Sequence, residues 1–334
     1  MSMWDEEHDL VRQQPQEGVG ERTRDAAEPA IGVEEGRPRV EAHPHSPHHA
    51  TAAKRWSVVI PTRAGWDHLG STLPPLLAIL GSDDEVVVVA DRCDTPLPRA
   101  GDPRYRVVVH RGRAGFAPAC NHGAREAGGR LLLFLNDDVV VGPGLLDRLE
   151  AELGRPDVGA AGPDVLSELL GRSESGTTLA WHHGVLESRQ EALRGDGRVS
   201  VPYLSGAAFA MRRDDFLRLA GFDERLAPYF WEDLDLSLRV RERLGETVVV
   251  GGVRVTHRHG ATIGKDPEGQ RRTIYERNRL LVSWRRLSGW RWLSHLAWLP
   301  LRLAAGLVRD PAVPKGFVLA LARLASRRSG ADRD

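Results

Sequence analysis

The sequence predicts an α/β protein whose mostly parallel sheet carries helices on both faces and is followed by a helical tail. Three observations carry that prediction. Leu131–Leu135 is five apolar residues without alternation, as suits a strand covered on both sides, residues 56–61 are a short β-branched strand, and residues 85–90 form a second buried strand. Between them lie stretches of helical spacing, Leu69, Leu73, Leu76, Leu77 and Leu80 and then residues 117–127, the latter closed by Gly128-Gly129. Strand and helix in alternation produce a parallel sheet with helical layers above and below it. The runs also end in polar residues, Thr62, Asp91 and Asn136-Asp-Asp138, and the carboxyl ends of strands are where such sheets bind ligands.

Taken in order, the first strand is stopped by Pro61, and Pro74-Pro75 predict an interruption of the helix that follows. Residues 105–110 supply a third strand, and residues 145–153 form a helix introduced by Gly142-Pro-Gly144. Residues 154–200, rich in Gly, Ser and Arg with weak periodicity, are expected to be a loop-rich insertion. Residues 204–211 form a strand of small residues in which Gly206 permits close approach of backbone or ligand. A short helix over 213–219 and a turn at Gly221-Phe-Asp-Glu224 precede a helix that Trp231-Glu-Asp233 opens and Gly245 ends. Strand 247–250 and the stretch 253–257 complete the pattern.

The 334 residues allow one large domain with appendages, and the balanced total charge hides an asymmetry. Residues 1–53 hold 5 basic and 11 acidic residues, net −6, whereas residues 271–328 hold 13 basic and 2 acidic ones, net +11. The expected division is a disordered acidic segment over 1–53, a folded domain over 54–270 and a basic amphipathic tail over 271–334. His43, His45, His48 and His49, broken by prolines, read as solvated, and no apolar signal-peptide core is visible at the N-terminus. Two cysteines, Cys93 and Cys120, are too few for a disulfide framework and point to a reducing compartment.

The strongest apolar stretch, residues 290–308, contains Arg291, His295, Pro300 and Arg302. A central arginine costs about 2.5–3.5 kcal/mol on insertion, so a helix lying on an anionic membrane surface fits better than a span. Packing on the folded domain or a dimer interface is the alternative. The expected location is cytoplasmic, peripheral on the inner face of the cell membrane, with no nucleic-acid partner.

Asn136-Asp-Asp138 reads either as a solvated turn or as a hard-cation site with Asp138 as first ligand. In Glu232-Asp233 the acids sit in a first helical turn, where the dipole favours the ionised form and where helix stability alone also suits them. Val58-Val-Ile-Pro-Thr62, Asp91, Gly115-Phe-Ala-Pro-Ala-Cys-Asn-His-Gly123, Asn136-Asp-Asp138, Gly221-Phe-Asp-Glu224 and Glu232-Asp233 follow one another as in family 2 glycosyltransferases of the GT-A fold. Over residues 56–285 the chain most resembles the bacterial rhamnosyltransferase and galactofuranosyltransferase group.

The resemblance implies an inverting enzyme that takes a sugar from a nucleotide-sugar donor, a UDP- or dTDP-sugar, to a hydroxyl of a glycan or lipid-linked glycan. It places Pro61, Thr62 and Asp91 in the nucleoside pocket, Gly115 and Asn121 on the donor side, and Asp137 near the ribose or sugar. An ordinary helix-surface role for Asn121 stays open, as does a solvated role for Arg111 and Arg113, which otherwise pair with the diphosphate. Asp138 and His257 would hold Mn or Mg, with His259 competing for the histidine position. A carboxamide is the weaker ligand, which leaves Asn136 out of that set. Asp233 is the expected general base, Glu232 its neighbour, and Trp231 an acceptor-stacking ring; Asp235 should point elsewhere. In place of the two acids and longer Gly-Ser-Thr-Asp turn of many relatives the chain has Ala90-Asp-Arg-Cys-Asp-Thr95, which leaves the donor base open.

Three other classes fit the sequence less well. A non-catalytic sugar-nucleotide or glycan-binding module is disfavoured by intact Asp138, Asp233 and His257. A nucleotidyltransferase or dinucleotide dehydrogenase is disfavoured because neither a Gly-rich basic phosphate loop nor Gly-x-Gly-x-x-Gly follows Ile60.

Overall fold

The computed structural model describes residues 54–63, 66–93, 101–191, 193, 197–258 and 266–326. The expectations for residues 1–53 and for His259 lie outside the described residues. The first half alternates as the sequence predicts: β1 (Trp56–Thr62), α1 (Trp66–Ile79), β2 (Glu85–Asp91), β3 (Tyr105–His110), α2 (Phe116–Glu126) and β4 (Leu131–Leu135). Then come β5 (Val139–Val140), α3 (Leu145–Leu153), β6 (Val158–Ser167), β7 (Arg172–Ser173), β8 (Gly176–His182), β9 (Val185–Glu191) and β10 (Val199–Ser200). The last part holds β11 (Ala208–Arg212), α4 (Arg213–Arg218), α5 (Glu232–Arg243), β12 (Glu246–His257), α6 (Glu268–Arg285), α7 (Trp290–Arg309) and α8 (Ala312–Ser326).

Eight strands run in the order β10-β12-β6-β11-β4-β1-β2-β3, with β5 beside β12 and β7 beside β6. The pairs β1–β2, β2–β3, β1–β4 and β6–β12 are parallel, and β11 is antiparallel to both β4 and β6. Successive residues of each run face opposite layers. Val58, Ile60, Leu131, Leu133 and Leu135 join one core with α1 and α3. Val59, Val87, Leu132 and Phe134 join the other with α2 and α5. That two-sided burial is why the runs lack polar alternation.

Four expectations change. The helix α1 passes through Pro74 and Pro75 without a break. Its buried face, Leu69, Thr72, Leu73 and Leu76, keeps helical spacing while Pro74 is exposed, so packing outweighs the lost hydrogen bonds. Residues 154–200 are mostly strand rather than loop, with β6 in the sheet and β8–β9 as a separate hairpin. The two segments expected over 247–257 are one strand, β12, whose pairing with β6 shifts register between Val250 and Arg254.

The fourth change concerns the tail. A boundary at residue 271 falls inside α6, whose residues from Ile274 to Ser283 are all buried. Asn278 donates to the carbonyls of Leu226 at 2.6 Å and Phe230 at 2.8 Å, and Arg277 to that of Ala227 at 2.7 Å. Four of the tail's arginines are paired with acids of the folded chain. Arg272 pairs with Asp310, Arg285 with Asp223 and Asp235, Arg286 with Glu242 and Arg302 with Glu276. What α7 leaves outside is apolar: Trp290, Trp292, Leu293, Leu296, Leu301 and Leu307 are each at least 51% exposed. Among the described residues, no helix is long and apolar enough to cross a membrane.

Candidate active site

The polar residues singled out from the sequence gather along one edge of the sheet. Thr62, Asp91 and Asn136-Asp-Asp138 end β1, β2 and β4, and His257 ends β12, which runs parallel to β6. β11 is antiparallel, so the segment leading into it, Gly206-Ala207, reaches the same edge.

Asp91 is 1% exposed, and its Oδ2 accepts the backbone N–H of Gly115 at 2.9 Å. Its Oδ1 is buried without a hydrogen-bond partner among the described residues. Gly115 has φ +137, and a Cβ there would stand 2.7 Å from Pro228 Cα, so a side chain is excluded both by conformation and by space. Pro61 precedes Thr62 in register with Val89. Asp137 is held rather than free: Oδ2 accepts from Thr62 Oγ1 at 2.5 Å and lies 3.6 Å from His68 Nδ1, while its carbonyl accepts from Thr72 Oγ1 at 2.7 Å. Nothing in the sequence pattern singles out His68 or Thr72.

Asp138 and His257 meet across β5 and β12, where His257 is in register with Val139. Asp138 Oδ1 lies 3.3 Å from His257 Nε2, and on the far side of the ring Glu174 Oε2 lies 3.6 Å from Nδ1. Asn136 Nδ2 is 3.4 Å from the same Nε2. Burial alone would lower the imidazole pKa, but Asp138 and Glu174 outweigh it and raise it to about 9. One carboxylate oxygen and one imidazole nitrogen lie side by side at strand ends, donor types that a borderline divalent ion would accept, while among the described residues no group of three or more His, Cys, Asp or Glu side chains is arranged to hold a metal by itself.

The acid pair opens α5. Asp233 Oδ2 accepts the N–H of Gly206 at 2.8 Å and Oδ1 that of Leu234 at 2.7 Å. A Cβ on Gly206 would lie 3.3 Å from Asp233 Oδ2, so the small residue lets the carboxylate approach the backbone. The next residue, Ala207, accepts the N–H of Asn136 at 3.0 Å, so one short segment fastens both the aspartate turn and the acid pair. Burial raises the pKa of Asp233 against those backbone donors. For Glu232, burial first and the neighbouring Asp233 charge second push it well above the carboxylate range, against the pull of Arg277. Its Oε2 is buried without a hydrogen-bond partner among the described residues.

The chain enters α5 through Phe230 at φ +74 and Trp231 at φ +73, two left-handed non-glycine residues in succession. Each costs on the order of 1–3 kcal/mol, and Arg277 and Asn278 of α6 grip the loop that carries them. The residues that support the acid pair thus come from the segment expected to be a tail.

Two expected roles are corrected by packing. Trp231 is 4% exposed and lies against Tyr275, with ring centroids 5.5 Å apart, so its face is covered and no acceptor sugar stacks on it. Asn121 is neither on the helix surface nor turned to the donor edge. Its Oδ1 accepts from Phe222 N and its Nδ2 donates to Phe222 O, each at 2.9 Å, which clamps the Gly221-Phe222 turn to α2. Asp235 points elsewhere as expected, to Arg285 and Arg239. Arg111 is exposed and Arg113 half-buried, its carbonyl accepting from His110 Nε2 at 2.8 Å.

Sequence comparison decides the family. The model of the glycosyltransferase like family 2 matches residues 53–276. The chain belongs to glycosyltransferase family 2. It is 29% identical over 231 residues to the O-antigen biosynthesis protein RfbC of Myxococcus xanthus, covering 62% of this chain and 17% of that one. It is also 29% identical over 213 residues to the N-acetylglucosaminyl-diphospho-decaprenol L-rhamnosyltransferase of Mycobacterium tuberculosis, covering 54% and 69% of the two. The chain thus spans under a fifth of RfbC and about two thirds of the rhamnosyltransferase. Among solved structures, GalNAc-T7 with UDP, GalNAc and Mn²⁺ superposes with TM-score 0.54 at 19% identity, covering 70% of this chain and 48% of that one. S. aureus TarS residues 1–349 with UDP-GlcNAc gives 0.51 at 13% identity, covering 79% of each. Both superpositions speak to the GT-A fold. The strand-end residues described above lie inside the matched region.

Proposed function

We propose that this glycosyltransferase moves a sugar, with inversion, from a UDP- or dTDP-sugar to a hydroxyl of a lipid-linked glycan at a membrane surface. The observation that carries the reading is the Gly206-Ala207 segment, which ties Asp233 and the Asn136-Asp-Asp138 turn to one backbone and so holds base and diphosphate site in fixed relation. Asp91 takes the nucleoside base on its Oδ1, with Pro61, Thr62 and Gly115 forming the pocket floor. Asp138 and His257 would hold the divalent ion, Mn or Mg. A bound divalent ion stabilises the charge that builds on a nucleoside diphosphate as it leaves. Asp233, locked by two backbone donors, takes the acceptor hydroxyl's proton, and its burial moves its pKa toward the range where a base works. Burial and the neighbouring Asp233 charge push the pKa of Glu232 upward, so the two acids of the pair differ in how readily each gives up its proton.

Asp138→Ala is expected to abolish metal-dependent donor binding and to leave the fold intact, because a strand-end carboxylate carries little packing. Calorimetry with nucleoside diphosphate and Mn²⁺ checks this, alongside a screen of sugar nucleotides with and without Mn²⁺. Equal affinity in variant and parent removes Asp138 from the site.

The membrane part of the reading rests on the apolar ridge of α7 rather than on charge, because Arg272, Arg285, Arg286 and Arg302 are already paired inside the protein. The exposed leucines face outward at helical spacing, and each side chain taken out of water contributes roughly 1.5–3 kcal/mol when fully buried. The variant carrying Leu293→Ser, Leu296→Ser and Leu301→Ser is expected to stop sedimenting with vesicles of phosphatidylcholine and phosphatidylglycerol, with its melting temperature unchanged. Parent binding should persist in high salt. If the leucine variant still sediments, or if the ridge instead drives dimerisation without vesicles, the membrane assignment fails.

A further inference from the structure

We propose that Glu174 is a positioning residue for His257, holding the imidazole so that Nε2 is presented beside Asp138. The inference rests on the reading of Asp138 and His257 as metal ligands. Sequence motifs do not reach Glu174, because it lies in the stretch 154–200, which reads as loop.

An imidazole has two nitrogens, and a histidine that ligates a metal through one commonly gives the other's N–H to a carboxylate or carbonyl. That partner sets the tautomer and the ring's rotation and raises the basicity of the ligating nitrogen. Here the two nitrogens face two different acids, Nε2 toward Asp138 at 3.3 Å and Nδ1 toward Glu174 at 3.6 Å. Asp138 follows the carboxyl end of β4 and is half-buried, whereas Glu174 is 3% exposed, behind the ring between β7 and β8. The half-buried acid after β4 is placed on the side of the ring where a shared ion would sit, and the fully buried Glu174 is placed to hold the ring from behind.

The backbone around Glu174 is fastened as a positioning role requires. Its N–H donates to Val165 O at 2.9 Å, and Val165 N–H donates to Ser175 Oγ at 2.7 Å. Ser173 Oγ donates to Asp164 Oδ1 at 2.6 Å, so both neighbours of Glu174 are tied to β6. His257 sits in register with Ser167 of the same strand, and Glu168 N–H donates to its carbonyl at 2.9 Å. Acid and imidazole are therefore both referenced to β6. A carboxylate this buried is costly to desolvate, and placing it against a histidine offsets that cost in a way an apolar residue at this position would not need.

The test measures Mn²⁺ affinity of the full chain in the presence of uridine diphosphate, by loss of the free Mn²⁺ paramagnetic resonance signal, for the parent, Glu174→Gln, Asp138→Asn and His257→Gln. Glu174→Gln keeps the side chain's shape and removes its charge. Its Mn²⁺ affinity is expected to fall by roughly 10–100-fold, with a cooperative thermal transition retained. Glu174→Ala serves as the second variant, measured on the folded fraction at low temperature, and should fall at least as far. Parental Mn²⁺ affinity in both Glu174 variants, with only a lowered melting temperature, would mean that Glu174 merely fills space and overturns the proposal. If Asp138→Asn and His257→Gln also bind Mn²⁺ like the parent, the metal reading falls and takes this proposal with it. The two failures are thus told apart by whether the ligand variants respond.

Discussion

Asp233→Asn is expected to lower transfer by roughly 10²–10⁴-fold, the range typical of a lost general base, while donor affinity stays near that of the parent. The amide still accepts one backbone N–H but turns its own NH₂ toward the other, Gly206 or Leu234, so a stability loss of roughly 1–3 kcal/mol accompanies the kinetic one. His257→Ala is expected to fail differently, through weaker metal-dependent donor binding. Raising Mn²⁺ should restore part of the His257→Ala rate and none of the Asp233→Asn rate, since added metal can refill a weakened site but cannot accept a proton. The measurement is transfer rate against Mn²⁺ concentration at saturating donor. Near-parental turnover in Asp233→Asn would shift the base to Glu232, because Asp235 is fully buried between Arg285 and Arg239.

Phe222→Ala is expected to cost about 3–5 kcal/mol of stability, the range for emptying a buried aromatic site. The ring is 1% exposed and meets Phe116, Phe134, Phe209 and Phe216 with centroids 5.6, 5.0, 6.1 and 5.4 Å away. Gly221, at φ +65, lets the turn drive that ring into the core, and Asn121 locks the turn through both backbone groups of Phe222. Denaturant unfolding checks the value, and a loss below 1 kcal/mol would show that the cluster repacks around the gap. The motif Gly221-Phe-Asp-Glu224 is thus a packing device whose acids serve the scaffold, with Asp223 accepting from Arg225 and Arg285.

Much of this site was legible before the structure, because strand-end chemistry is a local property. An apolar run that stops at Asp91 or Asp138 announces both the strand and the edge at which its carboxylate lies. Asp233 was legible for the same reason, as an acid in the first turn of a helix.

Local sequence sets the alternating framework, the two-sided burial of the central strands, and the kind of chemical group at each strand end. These depend on neighbours a few residues apart. Tertiary structure alone decided which groups face each other. It buried Trp231 against Tyr275, turned Asn121 onto the Phe222 turn, set Glu174 behind His257, and spent the tail's arginines on Asp223, Asp235, Glu242, Glu276 and Asp310. The physical reason is that a side chain's exposure and its partner are fixed by segments far away in the chain. Charge counted along the tail therefore overstated the basic surface, because Arg272, Arg285, Arg286 and Arg302 are paired with acids of the folded chain.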